Sequence, residues 1–538
     1  MRNISHILSE NRFEIIIIAF LVVVTAFLHS YNMLNFPYFE SDEGTYMSQA
    51  WSFSTSGKLS PYKYIYDHPP LGWIFISFWT HITGGIFAFG FSLNSGRVFM
   101  LVLQTVSSIL LYFIARRLTD SRLGGLLTVL IFSASPLGIY LHRRILLDNI
   151  MTFWLLLSLF IILYSKMSSK TIYLSAVVLA IAVLTKEPAI IFLPVYAYIF
   201  NLVLRGGIGS ISSLTTMDNR SIGGAVIWLL MFLFIVLLYP LLAFIRGELL
   251  PSDSGVSLVH TFLEQWSRRS GSFADIRNTD IWINIVNWLK EDPLYIVTGL
   301  AASLINLYFG LKNRNALVLS LLSISYWAFL LLSGFVLEFF IIPVLPFMAM
   351  NISYITIYLR RLIKRRYMSI GVVTLSVIPA LSVAVMLFLM IVHYSGNVKD
   401  KFNIFSDDQT GPQKEAVWWL LNNTSDNMVI VIDNYAYIDL NARNTLTGRK
   451  FEYYWKVDFD PDISNVLLSN NYDNIDYVAA TPQMIRDINN NPKLALTREA
   501  LKKSEKVIEY MGNEWGVEIH KVFPSGNDVT LSGGYLYL

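Results

Sequence analysis

The chain has 538 residues, of which 54% are hydrophobic and only 15% are charged, whereas about 25% of the residues of an ordinary soluble domain are charged. Its mean hydropathy of +0.50 excludes a soluble globular protein and predicts a chain that crosses a membrane many times. The sequence has no cysteine, which excludes disulfides, thiolate zinc sites and cysteine nucleophiles.

The formal net charge of +3 divides unevenly along the chain. Residues 394–538 hold 14 Lys and Arg against 20 Asp and Glu, whereas residues 1–393 have a basic excess of nine. The basic residues of the first part lie in short loops between apolar segments, which indicates membrane topology rather than nucleic-acid binding. We therefore expect a transmembrane domain over residues 1–393 and a soluble domain over residues 394–538.

Apolar segments long enough to cross the bilayer as helices, which takes about 20 residues, follow one another along the first domain. The sequence predicts eleven of them: 14–30, 97–115, 123–141, 149–165, 171–185, 188–204, 224–245, 294–311, 316–335, 339–359 and 369–392. The short segments 171–185 and 188–204 also suit one re-entrant pair. Residues 71–91, rich in Gly, Phe and Trp, are expected to form a helix lying at the membrane interface.

With residues 71–91 at the interface, the basic clusters of the short loops fall on one side of the membrane. The positive-inside rule then predicts a cytoplasmic N-terminus and an extracytoplasmic C-terminal domain. Residues 31–96 form the first outer loop. In the C-terminal domain, residues 415–421 read as an amphipathic helix and residues 428–432 and 475–479 as buried strands, so we expect a small α/β domain.

Two adjacent carboxylates in the first outer loop, Asp42 and Glu43, are the first candidates for chemistry. Carboxylates beside a bilayer are able to act as a general base or to hold a cation. The alternative is structural, since Ser41 or Asp42 also suits the cap of a helix.

Basic side chains follow on the same side. His68 precedes two prolines and is able to donate to a phosphate or a sugar hydroxyl, although the prolines alone explain an extended entry into the next helix. Arg97 opens the second span, where a helix normally prefers an acidic residue, so it must be paired or face an anion. Arg143 and Arg144 suit an anionic head group, or an internal ion pair with Asp148.

Two further outer charges lie at membrane borders. Lys186 and Glu187 occupy the hairpin between the two short spans and indicate a polar cavity, unless they neutralise each other. Glu338 precedes a Phe- and Pro-rich segment, as a helix cap or as a functional carboxylate.

In this order the motifs resemble those of the GT-C superfamily of integral membrane glycosyltransferases. The resemblance covers about residues 10–360, and it is greatest to the dolichyl-phosphate-mannose protein mannosyltransferases and the lipid A aminoarabinose transferases. The motifs that carry it are Asp42-Glu43, His-Pro-Pro-Leu-Gly at 68–72, Arg97, Arg143-x4-Asp148, Thr-Lys-Glu-Pro at 185–188 and Pro343-x2-Pro346. His68 departs from the lysine of the aminoarabinose branch, and Leu420 after Trp418-Trp419 departs from the signature of oligosaccharyltransferases, which argues against transfer of a whole glycan.

The resemblance implies an α-helical polytopic protein that moves one sugar, with inversion, from a dolichyl or undecaprenyl phosphate to an acceptor hydroxyl at the outer face of the plasma membrane. The acceptor is a protein, lipid or glycan. The resemblance implies no required cofactor, but it leaves a divalent metal open, with Asp42, Glu43, Asp148 and His68 as its candidate ligands. The implied roles are base and acceptor positioning for Asp42 and Glu43, donor phosphate binding for Arg97, Arg143, His68 and Lys186, and orientation or sugar binding for Asp148, Tyr46 and Glu338.

Two other classes of function stay open at this point. Eleven spans with charges also suit a lipid or glycan transporter or flippase, but the charges cluster at one face rather than along a midplane path. A non-catalytic subunit of a glycan assembly complex is the other alternative, and the presence of both Asp42 and Glu43 argues against it.

Overall fold

The computed structural model describes residues 12–164, 168–205, 219–251, 256–269, 279–366, 404–512 and 515–524. Its contacts divide the chain into two compact units. The helical unit comprises Met1–Tyr31, Tyr64–Trp79 and Arg97–Asn403, and the sheet unit comprises Asn32–Lys63, Thr80–Gly96 and Ile404–Leu538. Most of the first outer loop is thus grouped with the C-terminal region, whereas the sequence prediction assigned it to the transmembrane domain.

The described α-helices begin and end as follows, in chain order. They are α1 (Arg12–Ser30), α2 (Ser41–Ser56), α3 (Leu71–Ile82), α4 (Ser92–Thr119), α5 (Arg122–Ala134), α6 (Pro136–His142), α7 (Leu147–Tyr164), α8 (Ser169–Thr185), α9 (Leu193–Leu204), α10 (Asn219–Val236), α11 (Leu238–Ile245), α12 (Leu258–Arg269), α13 (Asp280–Glu291), α14 (Pro293–Gly310), α15 (Arg314–Leu332), α16 (Leu345–Arg366), α17 (Gly411–Asn423), α18 (Tyr437–Arg443), α19 (Lys456–Phe459), α20 (Pro482–Asn490) and α21 (Ala495–Lys502). Short 3₁₀ segments cover Glu187–Phe192, Glu338–Val344, Asn434–Ala436 and Tyr472–Asn474, and a π-helical turn covers Asp462–Leu467.

Eight helices or continuous helical segments of the described part are long and apolar enough to cross a membrane, and they coincide with eight of the eleven predicted spans. Predicted span 123–141 is the pair α5 and α6, bent by 68°. Predicted span 171–185 corresponds to the shorter apolar helix α8, and span 369–392 lies outside the described residues. The prediction of a multi-pass, mainly helical membrane protein is confirmed.

The bend between α5 and α6 has a local cause. Pro136 stands at the first turn of α6, and proline has no N–H with which to continue the hydrogen bonds of α5. Ser135, between the two helices, caps α6 by accepting the Gly138 N–H over 3.0 Å. Predicted span 123–141 thus consists of two helices that meet at Ser135.

Helix α3 is shorter than the predicted interfacial segment. It has 12 residues and a length of about 18 Å, whereas the hydrocarbon core is about 30 Å thick. It is too short to cross the bilayer as a straight helix, and its position at the interface stays a prediction.

The sheet unit contains a five-stranded mixed sheet with the strand order β2-β1-β3-β5-β4. The strands are β1 (Val429–Ile432), β2 (Lys450–Tyr453), β3 (Tyr477–Ala480), β4 (Ser504–Met511) and β5 (Gly516–Val522). β1 pairs in parallel with β2 and β3, and Val431 is in register with Val478. β5 pairs antiparallel with β3 and β4. Helix α17 and strands β1 and β3 confirm the helix and both strands expected from the sequence.

Candidate functional site

Several site residues predicted from the sequence lie at helix ends of the helical unit. Consecutive antiparallel spans bring alternate ends to the same side, so the end of α6, the beginning of α7 and the end of α8 share one side. Arg143 follows α6, Asp148 lies in the first turn of α7, and Lys186 directly follows α8. Their contacts show which of them come together.

Lys186 and Asp148 form a buried ion pair. The Lys186 ammonium donates to Asp148 Oδ2 over 2.6 Å, and each side chain is 1% exposed. Asp148 Oδ1 is also buried, and it accepts no hydrogen bond within the described part of the chain.

Aromatic rings border this pair. Lys186 Nζ lies 4.8 Å from the ring centroid of Phe339 and 4.8 Å from that of Phe340. Both rings belong to the 3₁₀ segment that begins at Glu338. A cation beside aromatic faces in a poorly hydrated environment interacts strongly with any anion that reaches it.

A second pair lies next to the first along the chain. His68 Nδ1 is 2.9 Å from Glu187 Oε2, and the two side chains are 17% and 30% exposed. Burial lowers the pKa of His68. The charge of the Glu187 carboxylate and its hydrogen bond to His68 raise the pKa by more than burial lowers it, so the net pKa lies above the ordinary value. His68 is therefore cationic over a wider pH range than a free histidine.

Tyrosines hold the loop that carries His68. Tyr64 OH donates to the His68 carbonyl over 2.5 Å and lies 3.1 Å from Tyr239 OH. Tyr66 OH donates to Glu248 over 2.5 Å, and the Tyr64 ring packs on the fully buried Trp73. These contacts fix the chain on both sides of His68.

Gly72, the last residue of the His-Pro-Pro-Leu-Gly motif, allows α3 to approach the beginning of α7 and the end of α8. A Cβ at this position would lie 2.4 Å from Leu147 Cδ2 and 3.3 Å from Thr185 Cγ2. Leu147 precedes Asp148, and Thr185 precedes Lys186. The glycine is thus required by packing beside these two charged residues.

Arg143 caps the C-terminal end of α1. Its guanidinium donates to three backbone carbonyl groups at the end of α1: those of His29 over 3.2 Å, Leu28 over 3.1 Å and Tyr31 over 2.7 Å. Basic side chains near the end of a helix commonly bond to its last carbonyl groups in this way. The donor phosphate role of Arg143 stays a prediction.

Arg144 is the arginine that meets Glu338. Its Nη1 lies 3.9 Å from Glu338 Oε2, and its Nη2 donates to Tyr140 OH over 2.6 Å. The Arg144 side chain is 1% exposed. The sequence singled out both residues but did not predict that they pair, since they lie almost 200 residues apart along the chain.

Arg97 lies in the second turn of α4 and is completely buried. A buried guanidinium stays charged, so it must be compensated where it lies or by a bound anion. The expectation that Arg97 opens the second span is wrong, because the helix begins five residues earlier, at Ser92. The role of Arg97 as a phosphate ligand stays a prediction.

Asp42, Glu43 and Tyr46 lie on α2 in the sheet unit. Glu43 is fully buried and belongs to a capping box, in which its carboxylate accepts the Glu40 N–H over 3.1 Å. Asp42 is partly exposed, whereas Tyr46 is buried. The alternative that Ser41 or Asp42 caps the helix is wrong, because the N-cap residue is Glu40.

A metal centre is not assembled by the described residues. Among them, no group of three or more Asp, Glu or His side chains is close enough to hold a metal ion. Two of the candidate ligands have other partners, since Asp148 accepts from Lys186 and His68 pairs with Glu187. The expectation that the reaction requires no cofactor, with a divalent ion as the alternative, stays a prediction.

A comparison with family models matches residues 67–244 to the family described as dolichyl-phosphate-mannose-protein mannosyltransferase. The match covers about a third of the chain. It includes the predicted donor-site residues His68, Arg97, Arg143 and Lys186, and it leaves out Asp42. A comparison with curated proteins gives no match.

Solved structures with the same fold cover most of the chain. ArnT from Cupriavidus metallidurans, bound to undecaprenyl phosphate, is 13% identical with a TM-score of 0.57, over 94% of this chain and 97% of ArnT. The oligosaccharyltransferase of Archaeoglobus fulgidus in its apo form is 12% identical with a TM-score of 0.55, over 91% of this chain and 72% of that protein.

A third structure, AglB from Archaeoglobus fulgidus in complex with an inhibitory peptide and a dolichol-phosphate, is 12% identical. Its TM-score is 0.53, over 94% of this chain and 74% of AglB. The chain therefore has the fold of the GT-C membrane glycosyltransferases, and the resemblance predicted from its motifs is confirmed at this level.

Proposed function

We propose that the chain is an inverting glycosyltransferase that moves a single sugar from a polyprenyl phosphate to an acceptor hydroxyl. The observation that carries the proposal is that the buried Lys186–Asp148 pair and the His68–Glu187 pair both lie within the residues that match the mannosyltransferase family model. Structural neighbours bound to undecaprenyl phosphate and to dolichol-phosphate support a lipid phosphate as the donor.

In the proposed reaction, the acceptor oxygen attacks the anomeric carbon on the face opposite the phosphate. The bond from that carbon to the phosphate oxygen breaks, and its electron pair stays on the phosphate. The acceptor proton passes to the Asp42 carboxylate, which acts as the general base. The products are the glycosylated acceptor and the free polyprenyl phosphate.

The surroundings of the two carboxylates favour Asp42 over Glu43 as the base. Glu43 is fully buried and its carboxylate holds the N-terminus of α2, so it is committed to the helix. Asp42 is partly exposed, and a base must reach the proton that it removes. Glu43 then acts by keeping Asp42 in place.

Cationic side chains stabilise the phosphate as it leaves. The Lys186 ammonium has three N–H donors, of which Asp148 accepts one, so Asp148 orients the ammonium toward the phosphate. Fixed charges of this kind act strongly in a site with few water molecules. His68, Arg97 and Arg143 supply further positive charge.

The acceptor is a protein, lipid or glycan, and the reaction takes place on the outer side of the plasma membrane. This orientation is proposed from the positive-inside rule, with a cytoplasmic N-terminus and an extracytoplasmic sheet unit. Polyprenyl phosphate sugars suit that side, since a lipid-linked donor reaches a compartment without nucleotide sugars.

The test places the purified full-length protein in liposomes with a crude membrane acceptor and a panel of radiolabelled polyprenyl phosphate sugars. We expect turnover of one donor, and a loss of roughly 100-fold in Lys186→Met, as for the removal of one transition-state donor. Lys170→Met, at the exposed opposite end of α8, is the matched control and keeps wild-type turnover. If the folded wild type consumes no donor of the panel, the proposed function is wrong.

The base is tested separately. Asp42→Asn removes the proton acceptor at nearly constant shape, so we expect kcat to fall roughly 100-fold or more. Asp280→Asn, at a partly exposed aspartate in the first turn of α13, is the control and leaves kcat unchanged. Equal kcat for Asp42→Asn and the wild type would exclude Asp42 as the base.

A further inference from the structure

The carboxyl edge of the parallel strands holds the helix that carries Asp42. Asp433 directly follows β1 and Thr481 directly follows β3, and because these strands pair in parallel, both residues lie at the same edge. Ser41, the residue before Asp42, donates from Oγ to Asp433 Oδ1 over 2.5 Å. Thr481 Oγ1 donates to Asp433 Oδ2 over 2.6 Å.

The next residue of the same edge makes a second attachment to α2. Asn434 Nδ2 donates to Thr45 Oγ1 over 2.7 Å, and Asn434 Oδ1 accepts from Trp455 Nε1 over 3.2 Å. Ser41 and Thr45 are one helical turn apart. The two attachments therefore stand on either side of Asp42 in the sequence of α2.

Gly44 brings the helix into direct contact with the strand end. A Cβ at position 44 would lie 2.3 Å from the carbonyl carbon of Asn434 and 2.4 Å from the Tyr435 nitrogen. These are backbone atoms, which cannot move aside as a flexible side chain can. The helix backbone thus rests on the backbone that follows β1.

Asp433 is placed to hold other groups, not to react. It is 2% exposed, and each of its carboxylate oxygens accepts from a hydroxyl group. Burial raises the pKa of Asp433, and the hydrogen bonds from Ser41 and Thr481 oppose that rise. Without these hydroxyl donors, a buried carboxylate would be left without its partners, which is unfavourable.

We propose that Asp433 is a positioning residue, which holds Ser41 at the first turn of α2 and thereby fixes Asp42 in the orientation that takes the proton from the acceptor. The inference rests on the proposed function, because it assigns a purpose to Asp42. A displacement of about 1 Å in a reacting group costs up to 100-fold in rate, so the attachment of α2 sets the rate of the chemical step.

The test compares three variants of the full-length protein. Ser41→Ala removes the hydroxyl group that donates a hydrogen bond to Asp433. Alanine is a good helix former, so we expect this variant to fold. Ser41→Thr retains the hydroxyl. Asp458→Asn is the matched control, because Asp458 holds the first turn of α21, which contains no candidate site residue, by accepting from Leu496 N–H over 2.7 Å and Thr497 Oγ1 over 2.9 Å.

Two measurements are made on each variant: steady-state turnover of the donor that the wild type consumes, and hydrogen exchange of the peptide covering residues 39–48. For Ser41→Ala we expect faster exchange in that peptide, a kcat lower by about tenfold and a donor KM within twofold. For Ser41→Thr we expect the kcat and the hydrogen exchange of the wild type. Asp458→Asn leaves kcat within twofold of the wild type.

The outcomes separate the inference from the function on which it rests. A wild type that consumes no donor refutes the proposed function, and the positioning role falls with it. On a donor that the wild type does consume, wild-type kcat in Ser41→Ala overturns the positioning role alone. A lower kcat with unchanged exchange also overturns it, because Ser41 would then act directly.

Discussion

Lys186 donates from its ammonium to Asp148 over 2.6 Å, although 38 residues separate them in the chain. Both side chains are 1% exposed, so neither charge is solvated by bulk water. A buried pair of this kind adds little net stability, whereas the loss of one partner leaves the other charge uncompensated. The pair therefore places a cation in a poorly solvated environment, beside the rings of Phe339 and Phe340.

Replacing both residues of this pair should cost less stability than replacing either one alone. Lys186→Met or Asp148→Leu alone should lower the free energy of unfolding by about 3–5 kcal/mol, because a buried charge loses its partner. The double variant should recover most of that stability but not donor turnover. Thermal unfolding of the full-length protein in detergent measures the first effect, and the liposome assay measures the second. Additive losses in the double variant would contradict this account.

Gly72→Ala should destabilise the protein by packing rather than by charge. The new Cβ would lie 2.4 Å from Leu147 Cδ2, and Leu147 is fully buried, so the leucine has little room to move. Overpacking of this kind costs about 1–3 kcal/mol. The lower melting temperature is measured in detergent, and donor turnover should fall with it, because Leu147 precedes Asp148.

A second-site change and a second glycine control this prediction. Leu147→Ala combined with Gly72→Ala removes the clashing atom and should recover part of the turnover lost by Gly72→Ala. Gly223→Ala lies in helix α10, where a Cβ would meet nothing within 4 Å, so it should be neutral or stabilising. If both glycine variants lost equal stability, the clash at Leu147 would not be the cause.

Hydropathy predicted the helical part of the fold well, because a membrane-spanning helix needs its apolar residues in one continuous segment. It could not predict the 68° bend between α5 and α6 from apolar content alone. Pro136 was the available signal for that bend. The grouping of most of residues 31–96 with the C-terminal region depends on contacts between distant parts of the chain, which spacing does not reveal.

The partners of the candidate residues could not be predicted from the sequence. Lys186 and Glu187 are adjacent, and the sequence left open that they neutralise each other. Lys186 has extended backbone angles, with φ −156° and ψ 131°, and successive side chains of extended backbone point to opposite sides. Lys186 therefore meets Asp148 and Glu187 meets His68. Asp148 and His68 lie 38 and 119 residues away in the sequence, so the spacing of residues within the hairpin does not predict either contact.

His68 should give the reaction an alkaline limb that depends on Glu187. The pKa of His68 lies above its ordinary value because the effect of the Glu187 carboxylate exceeds that of burial. The cation, and the stability that the pair contributes, are present at low pH and are lost as the pH rises through this raised pKa. Donor kcat/KM should therefore fall over that range. Glu187→Gln should move the fall to lower pH, and His68→Gln should abolish it.

An exposed pair of the same kind provides the control. His260 and Glu264 are 3.7 Å apart on α12, and their side chains are 62% and 53% exposed. Glu264→Gln removes a carboxylate from a histidine in the same manner but away from the candidate site. It should leave the pH profile unchanged. A profile that stays fixed in Glu187→Gln would show that another group sets the alkaline limb.

Asp439 should make the stability of the chain depend on pH in mildly acidic solution. Its carboxylate accepts from Ser92 Oγ over 2.5 Å and from Ser92 N–H over 3.1 Å, at the first turn of the helix that carries Arg97. Burial raises the pKa of Asp439 to about 6, and the Ser92 bonds and the Arg443 guanidinium oppose that rise. An unfolded aspartate has a pKa of about 3.9.

Between about pH 4 and pH 6 the folded chain thus binds more protons at Asp439 than the unfolded chain, so this contribution to stability falls as the pH rises and is level above that range. The difference amounts to at most about 3 kcal/mol. Asp439→Asn removes it, so the melting temperature of the wild type relative to this variant should decrease from pH 4.5 to pH 7. Asp426→Asn, at an exposed aspartate of the same unit, should run parallel to the wild type. A parallel course for Asp439→Asn as well would show that Asp439 is ionised throughout this range, held so by Ser92 and Arg443.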